Sequence, residues 1–259
     1  MTPLRRVPGS PRALVHRAAG RRALRTRSLA GAADWRRAVA DRLAFASVAI
    51  AGPAALPASN GWDWPRVGTD ELAHALRRDL PGLTLVGAVL PRQPGRHRLS
   101  LLCHAAGNPL VVKLGDDEQA FLAEHRALEL LVADPLPGIA TPRTLGSGRL
   151  ATTELADPIT WHATSALGLG AQRPAIDEPL HTFESDLGSR LAGLPRPPST
   201  PDDAVPVHGD LTPWNLRRTS RGLALFDWES AGWGPPGSDL ATYRAASAEV
   251  RPWWREGPP

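Results

Sequence analysis

The sequence predicts an α+β protein, and three observations carry that reading. Residues 83–90, 98–104 and 109–114 are three consecutive strand-like runs joined by short turns, the pattern of an antiparallel sheet. Residues 69–80, 116–132 and 177–194 carry apolar side chains at steps of three and four, which predicts amphipathic helices. Residues 216–227 read as a hairpin whose return strand ends in a carboxylate, Asp227.

Each element has a local cause. Thr69 is placed to cap the first helix. Asp70 and Glu71 fall in its first turn, where the helix dipole favours negative charge, and Leu72, Leu76 and Leu80 line one face. Pro81 and Gly82 stop it. The turns at 91–97 and 105–108 separate the three strands. Asp116 and Asp117 open the second helix, which carries Phe121, Leu122, Leu128, Leu131 and Val132. Residues 144–156 read as a short hairpin leading into a crossing segment, and 161–174 carries no clear pattern. Leu180, Phe183, Leu187, Leu191 and Leu194 recur along the third helix, and a last helix is expected from Asp239 to about Glu249. Ahead of these, 34–51 reads as a helix capped by Asp34, and 52–65, with three Pro and two Gly, as a linker.

Composition sets limits. A chain of 259 residues, 42% hydrophobic, suits one large or two small domains. It contains no run of eighteen apolar residues, so no membrane span is expected. The single cysteine, Cys103, excludes an intramolecular disulfide and fits a reducing, cytoplasmic setting. Residues 1–33 hold eight Arg and no acid, which predicts a basic, disordered arm. Without them 22 basic and 26 acidic residues remain, a net of −4, which argues against nucleic-acid binding by the folded body. Of the 30 basic residues only one is lysine. Lys113 sits in the apolar run Leu110-Val111-Val112-Lys113-Leu114, where a compact ammonium rather than a guanidinium is kept.

The chemistry concentrates in residues 204–230, AVPVHGDLTPWNLRRTSRGLALFDWES. A carboxylate delivered at the end of a buried strand needs a partner, because an unpaired buried charge is costly. A hairpin brings its ends together, so Asn215 and Asp227 should lie adjacent and offer oxygen ligands to a hard cation such as Mg²⁺. Asp210, on the loop entering the hairpin, is placed to act on a substrate hydroxyl as a general base.

His208-Gly209-Asp210, then Asn215, then Phe226-Asp227-Trp228-Glu229 resembles the catalytic and metal-binding loops of the aminoglycoside phosphotransferase family, small-molecule kinases with a protein-kinase-like fold. The resemblance covers about 69–246. It implies two lobes: an N-lobe of antiparallel sheet plus helix at 60–152, a hinge at 153–157, and a mainly helical C-lobe at 158–259, preceded by the helix and linker of 34–59. It implies that Asp210 orients or deprotonates the acceptor hydroxyl, and that Asn215 and Asp227 hold Mg²⁺ against the phosphates of ATP. Lys113 then contacts the α- and β-phosphates. Glu124 takes the counter-ion role, with Glu118 as a competitor. Glu154, Leu155 and Ala156 offer backbone to adenine. His208 braces the loop, and Asp239 supports it from below as a helix cap or buried acceptor. Glu229 is a further candidate for metal water or substrate.

Two departures stand out. The turn expected over the phosphates, 91–97, has one glycine, Gly95, beside Arg92, Arg96, His97 and Arg98, where arginine charge would stand in for backbone NH groups. The sequence after Asp239 is short, and in the family that region shapes the acceptor pocket. The expected activity is transfer of the γ-phosphoryl group of ATP to a hydroxyl of a small molecule, an aminoglycoside or another amino or sugar alcohol. A catalytically inactive nucleotide-binding or scaffold protein is the alternative. No GxxxxGK[ST] motif is present.

Overall fold

The computed structural model describes residues 4–7, 10–16, 64–90, 97–167, 173–176, 178–219 and 222–255, with 56, 59 and 62 as single positions. The expected helix at 34–51 and residues 91–96 of the phosphate-covering turn lie outside the described residues. The chain forms two compact units, 1–118 with 144–168, and 119–143 with 169–259.

Unit 1 is built on one seven-stranded sheet in the order β1-β2-β3-β4-β5-β8-β7. Its strands are β1 (Leu4–Val7), β2 (Ser10–His16), β3 (Thr84–Val89), β4 (Arg98–Ala105), β5 (Asn108–Gly115), β7 (Thr144–Leu150) and β8 (Ile159–Ser165), every neighbouring pair antiparallel. The three strands expected from sequence are β3, β4 and β5. Ala106 and Gly107, both with positive φ, make the two-residue turn between β4 and β5. Leu99, Leu101, Cys103, Leu110, Val112, Leu114, Trp161 and Ala163 share one core with Leu72, Ala75 and Leu76 of helix α1 (Thr69–Leu76). Burial in that core pushes the Cys103 thiol up and keeps it protonated.

Unit 1 corrects four expectations. Residues 4–7 and 10–16 are not a disordered arm. They form the β1–β2 hairpin, with Leu4 and Leu14 buried and β2 paired to β3. The hairpin draws Arg5, Arg6 and Arg12 into the fold, so the net of −4 no longer describes the folded part. Thr69 does not cap α1: Gly68 is the N-cap, and its NH donates to the Glu154 carboxylate at 2.5 Å. Helix α1 ends at Leu76 rather than at 80. Finally, 153–157 is not a hinge between lobes. It belongs to the turn joining β7 to β8, two neighbours in one sheet. The chain leaves the sheet only after Ser165.

Unit 2 gathers helix α2 (Glu118–Ala133, from Gln119 onward), α3 (Phe183–Arg190) and α4 (Ser238–Arg255) with two small sheets. One pairs β10 (Val205–Val207) with β13 (Gly232–Gly234). The other has the order β6-β12-β11-β9, from β6 (Ile139–Ala140), β12 (Gly222–Leu225), β11 (Leu216–Thr219) and β9 (Arg173–Pro174). Among its described residues the helices stand beside strands of two to four residues each. Leu128, Leu131, Phe183, Leu187, Leu191, Leu216, Leu225 and Trp228 meet in its core. Helix α3 is shorter than the predicted 177–194 at both ends, and at its start Tyr243 holds the preceding segment. Its hydroxyl accepts the Glu178 NH and donates to the Ala175 carbonyl, each at 2.9 Å. Arg218 pairs with the Glu178 carboxylate beside it.

Tyr243 is buried, so deleting its hydroxyl strands a backbone donor and acceptor. Tyr243→Phe is expected to lower stability by about 1–3 kcal/mol in chemical denaturation; an unchanged midpoint would mean that water replaces the hydroxyl.

Candidate active site

The site of unit 2 is assembled from backbone outward. Strand β10 carries the chain to His208, Gly209 and Asp210. Asp239, in the first turn of α4, turns its carboxylate under this loop. Oδ2 accepts the His208 NH at 2.6 Å and Oδ1 the Gly209 NH at 2.9 Å. Asp239 is only 2% exposed, so two charge-assisted bonds offset the burial of its charge.

His208 is fully buried and links two loops. Its Nε2 lies 2.9 Å from the Phe226 carbonyl, which can only accept, so Nε2 carries the proton. Nδ1 is then the acceptor for the Asp210 NH at 3.2 Å. The neutral tautomer satisfies both contacts, and burial depresses the pKa, against the opposing pull of Asp239. The ring lies against buried Trp228, centroids 4.6 Å apart.

Gly209 has φ +80, and a Cβ there would meet the Ser230 carbonyl carbon and Cβ at 2.9 Å each, as well as the carbonyl oxygen. Both the backbone angle and the close approach demand glycine. The turn after Asp210 closes through the Asn215 and Leu216 NH groups on the Thr212 carbonyl, at 3.0 and 2.7 Å. That turn swings Asn215 back. Its Nδ2 donates to the Asp210 carbonyl at 2.9 Å and to Asp210 Oδ2 at 2.8 Å.

Strands β11 and β12 form the expected hairpin, with Leu216 opposite Leu225. The Phe226 NH donates to the Asn215 carbonyl at 3.0 Å, so the two ends close together. Asp227 follows in left-handed backbone, φ 65 and ψ 61, a conformation that Asp tolerates better than most residues. It leads into a 3-10 turn, Trp228–Ser230. Phe226 is thus held on one side by Asn215 and on the other by His208, which fixes where Asp227 begins.

These residues fit a magnesium ion. With Nδ2 turned to Asp210, the Asn215 amide presents oxygen as its ligating atom. Asp227 adds a half-buried carboxylate, and both are hard oxygen donors. Among the described residues no group of three or more His, Cys, Asp or Glu could hold a metal. Magnesium needs no such cage, since it is bound through one or two protein oxygens with phosphate and water.

The other expected site residues lie on other elements. Lys113 is half-buried on β5 in unit 1, opposite Ser100 and His162. Glu124 is buried on α2, in unit 2. Glu154 and Ala156 are exposed in the β7–β8 turn, and Leu155 packs on the unit 1 core. Glu154 is occupied with the start of α1, not with offering its backbone at a hinge. His97 pairs with Asp116 at 3.0 Å and stacks on Trp64, centroids 5.4 Å apart. Sequence reasoning missed Arg217. It is buried on β11, two residues after Asn215, and burial pushes its guanidinium down to about 10. An arginine between strand residues gave no signal of burial.

The chain matches the phosphotransferase enzyme family over residues 12–257 and belongs to it. No curated protein matches. Among solved structures it is similar to a thermostable mutant of aminoglycoside phosphotransferase APH(4)-Ia, at 10% identity and a TM-score of 0.46, over 71% of this chain and 82% of that one. It is similar to the aminoglycoside-3'-phosphotransferase of type VIII at 20% identity, TM-score 0.42, covering 73% and 93%. The amicoumacin kinase hAmiN gives 12%, 0.47, 73% and 77%. Among the described residues no helix is long and apolar enough to cross a membrane.

The buried neutral His208 makes a pH prediction. Its folded pKa lies below the ordinary value of 6.5, so in acid the unfolded chain binds a proton that the folded chain refuses. Its contribution is complete above about pH 6.5 and fades as pH falls, by at most about 1.4 kcal/mol per unit. Denaturation between pH 8 and 5 should show a steeper acid loss in the native chain than in His208→Gln. Parallel curves, or greater stability in acid, would contradict the assignment.

Proposed function

We propose that the chain is an ATP- and Mg²⁺-dependent kinase that transfers the γ-phosphoryl group to a hydroxyl of a small molecule. The observation that carries this reading is the locked cluster of unit 2. One residue, Asn215, fixes the Asp210 carboxylate through its Nδ2 and so leaves its oxygen as the atom that a cation would meet. Asp227 stands at the end of the same hairpin.

In this reading Asp210 accepts the hydrogen bond of the acceptor hydroxyl, aligns its oxygen for attack and takes its proton. Asn215 keeps that carboxylate in one rotamer, so little reorganisation is left for the reacting state. Asn215 Oδ1 and the Asp227 carboxylate would hold the magnesium. When bound, the ion neutralises phosphate charge as it builds during transfer. Lys113 holds the α- and β-phosphates, with Glu124 as its counter-charge. A lone protonated thiol at Cys103 and dependence on ATP suit the cytoplasm. The acceptor is an amino or sugar alcohol.

Asp210→Ala is expected to lower turnover by about 10²- to 10⁴-fold while ATP affinity stays within about twofold. The measurement is phosphoryl transfer from labelled ATP to a panel of aminoglycosides, amino alcohols and sugars, with ATP binding followed in parallel. Turnover that survives in Asp210→Ala would sink this mechanism. ATP binding with no transfer by the native chain to any acceptor would favour a nucleotide-binding scaffold.

A further inference from the structure

The sheet of unit 1 has two unlike faces. Leu99, Leu114 and Trp161 stand in one lateral row, and Leu101, Val112 and Ala163 in another, all in the apolar core. Between these rows lies a third, in which Ser100 is opposite Lys113, Lys113 opposite His162, and His162 opposite Ser147. Successive residues of a strand point to opposite faces, so this row stands on the face away from the core. On β8 this face is covered, since His162 is 0% exposed and Thr164, two residues on, is 5% exposed, while Ser147 on the edge strand is exposed.

Directly opposite residues of an antiparallel pair have Cβ atoms about 4.5–5.5 Å apart. His162 therefore stands beside the stem of the chain's only lysine, with its Nε2 3.5 Å from Thr144 Oγ1. A lysine carries four rotatable bonds and substantial rotamer entropy, much of it lost when the ammonium is fixed on a ligand. A planar ring packed into the sheet beside it removes in advance some of the directions the stem would sweep. Alanine or leucine there would serve the sheet as well, yet the strand keeps an imidazole buried to zero exposure next to a cation.

We infer that His162 is a positioning residue for nucleotide phosphates, acting through Lys113 by limiting the conformations of its side chain. It touches neither nucleotide nor acceptor. The inference rests on Lys113 being the phosphate-holding cation of the proposed function. It assigns His162 a task that neither the family match nor the sequence motifs name.

The test measures binding, so it needs no acceptor. ATP and adenosine affinities are compared in the full chain, in His162→Ala, in Lys113→Ala and in the double variant, with folding checked by thermal melts. His162→Ala should weaken ATP roughly 3- to 10-fold, the size expected for one freed side chain, and leave adenosine unchanged. In the Lys113→Ala background the His162 substitution should have no further effect on ATP. Equal weakening of ATP and adenosine would overturn the inference, since a structural or adenine-contact role moves both. So would a loss that persists without Lys113, or no loss where Lys113→Ala alone weakens ATP. If Lys113→Ala itself leaves ATP affinity intact, the phosphate role of Lys113 fails, and this inference with it. Should His162→Ala not fold, His162→Asn, which shortens the ring to an amide, is read by the same ratio.

Discussion

The Asp239 carboxylate beneath His208 and Gly209 is the contact on which the site depends. Two adjacent backbone NH groups leaving a strand would otherwise be stranded in the interior, where each unsatisfied donor costs about 1–3 kcal/mol. A single buried anion takes both, at 2.6 and 2.9 Å. The rest follows as a series of constraints. With the backbone held, the His208 ring can only face the Phe226 carbonyl, so its tautomer is set and the Asp210 NH finds an acceptor. Phe226, gripped in turn, fixes where the Asp227 carboxylate begins. A charge at the foot of α4 thus sets the geometry of Asp210 and Asp227, residues that lie 29 and 12 positions before it in the chain.

The same logic explains why these residue types are needed. Gly209 lies against Ser230 with no room for a Cβ, which brings the loop after β10 onto the 3-10 turn that follows Asp227. Asn215 is required as an amide. A carboxylate there would repel Asp210, and an aliphatic side chain would leave the Asp210 rotamer unset. In the proposed mechanism this arrangement commits binding groups to their positions before substrate arrives, which is how preorganised electrostatics yields rate.

Much of this was legible in the sequence. His208, Gly209, Asp210, Asn215 and Asp227 are polar or flexible residues set among Val207, Leu211, Leu216 and Leu225, a contrast that marks a site in a buried setting. The β11–β12 hairpin was readable from its turn residues. The lobe connection was not. Strand β8 reads Ile-Thr-Trp-His-Ala-Thr-Ser, with Trp161 and Ala163 on the apolar face and His162 and Thr164 buried on the other. A strand with a buried polar face lacks the apolar signal that identifies a central strand, so the crossing was placed one strand too early. The N-terminal hairpin was hidden for a different reason: its arginines dominate the composition, while Leu4 and Leu14 anchor it. Helix α3 starts late where a hydroxyl from Tyr243, 65 residues away from Glu178, holds the segment before it.

Amide hydrogen exchange at His208 and Gly209, in the native chain and in Asp239→Asn, tests the central contact most directly. An asparagine can accept one of the two NH groups through its oxygen but offers a donor to the other. Both amides should be among the slowest to exchange in unit 2 of the native chain, and at least one should lose that protection in the variant while the Phe226 amide follows more weakly. Fast exchange at both positions in the native chain, or protection untouched by the substitution, would show that the loop is held by something else.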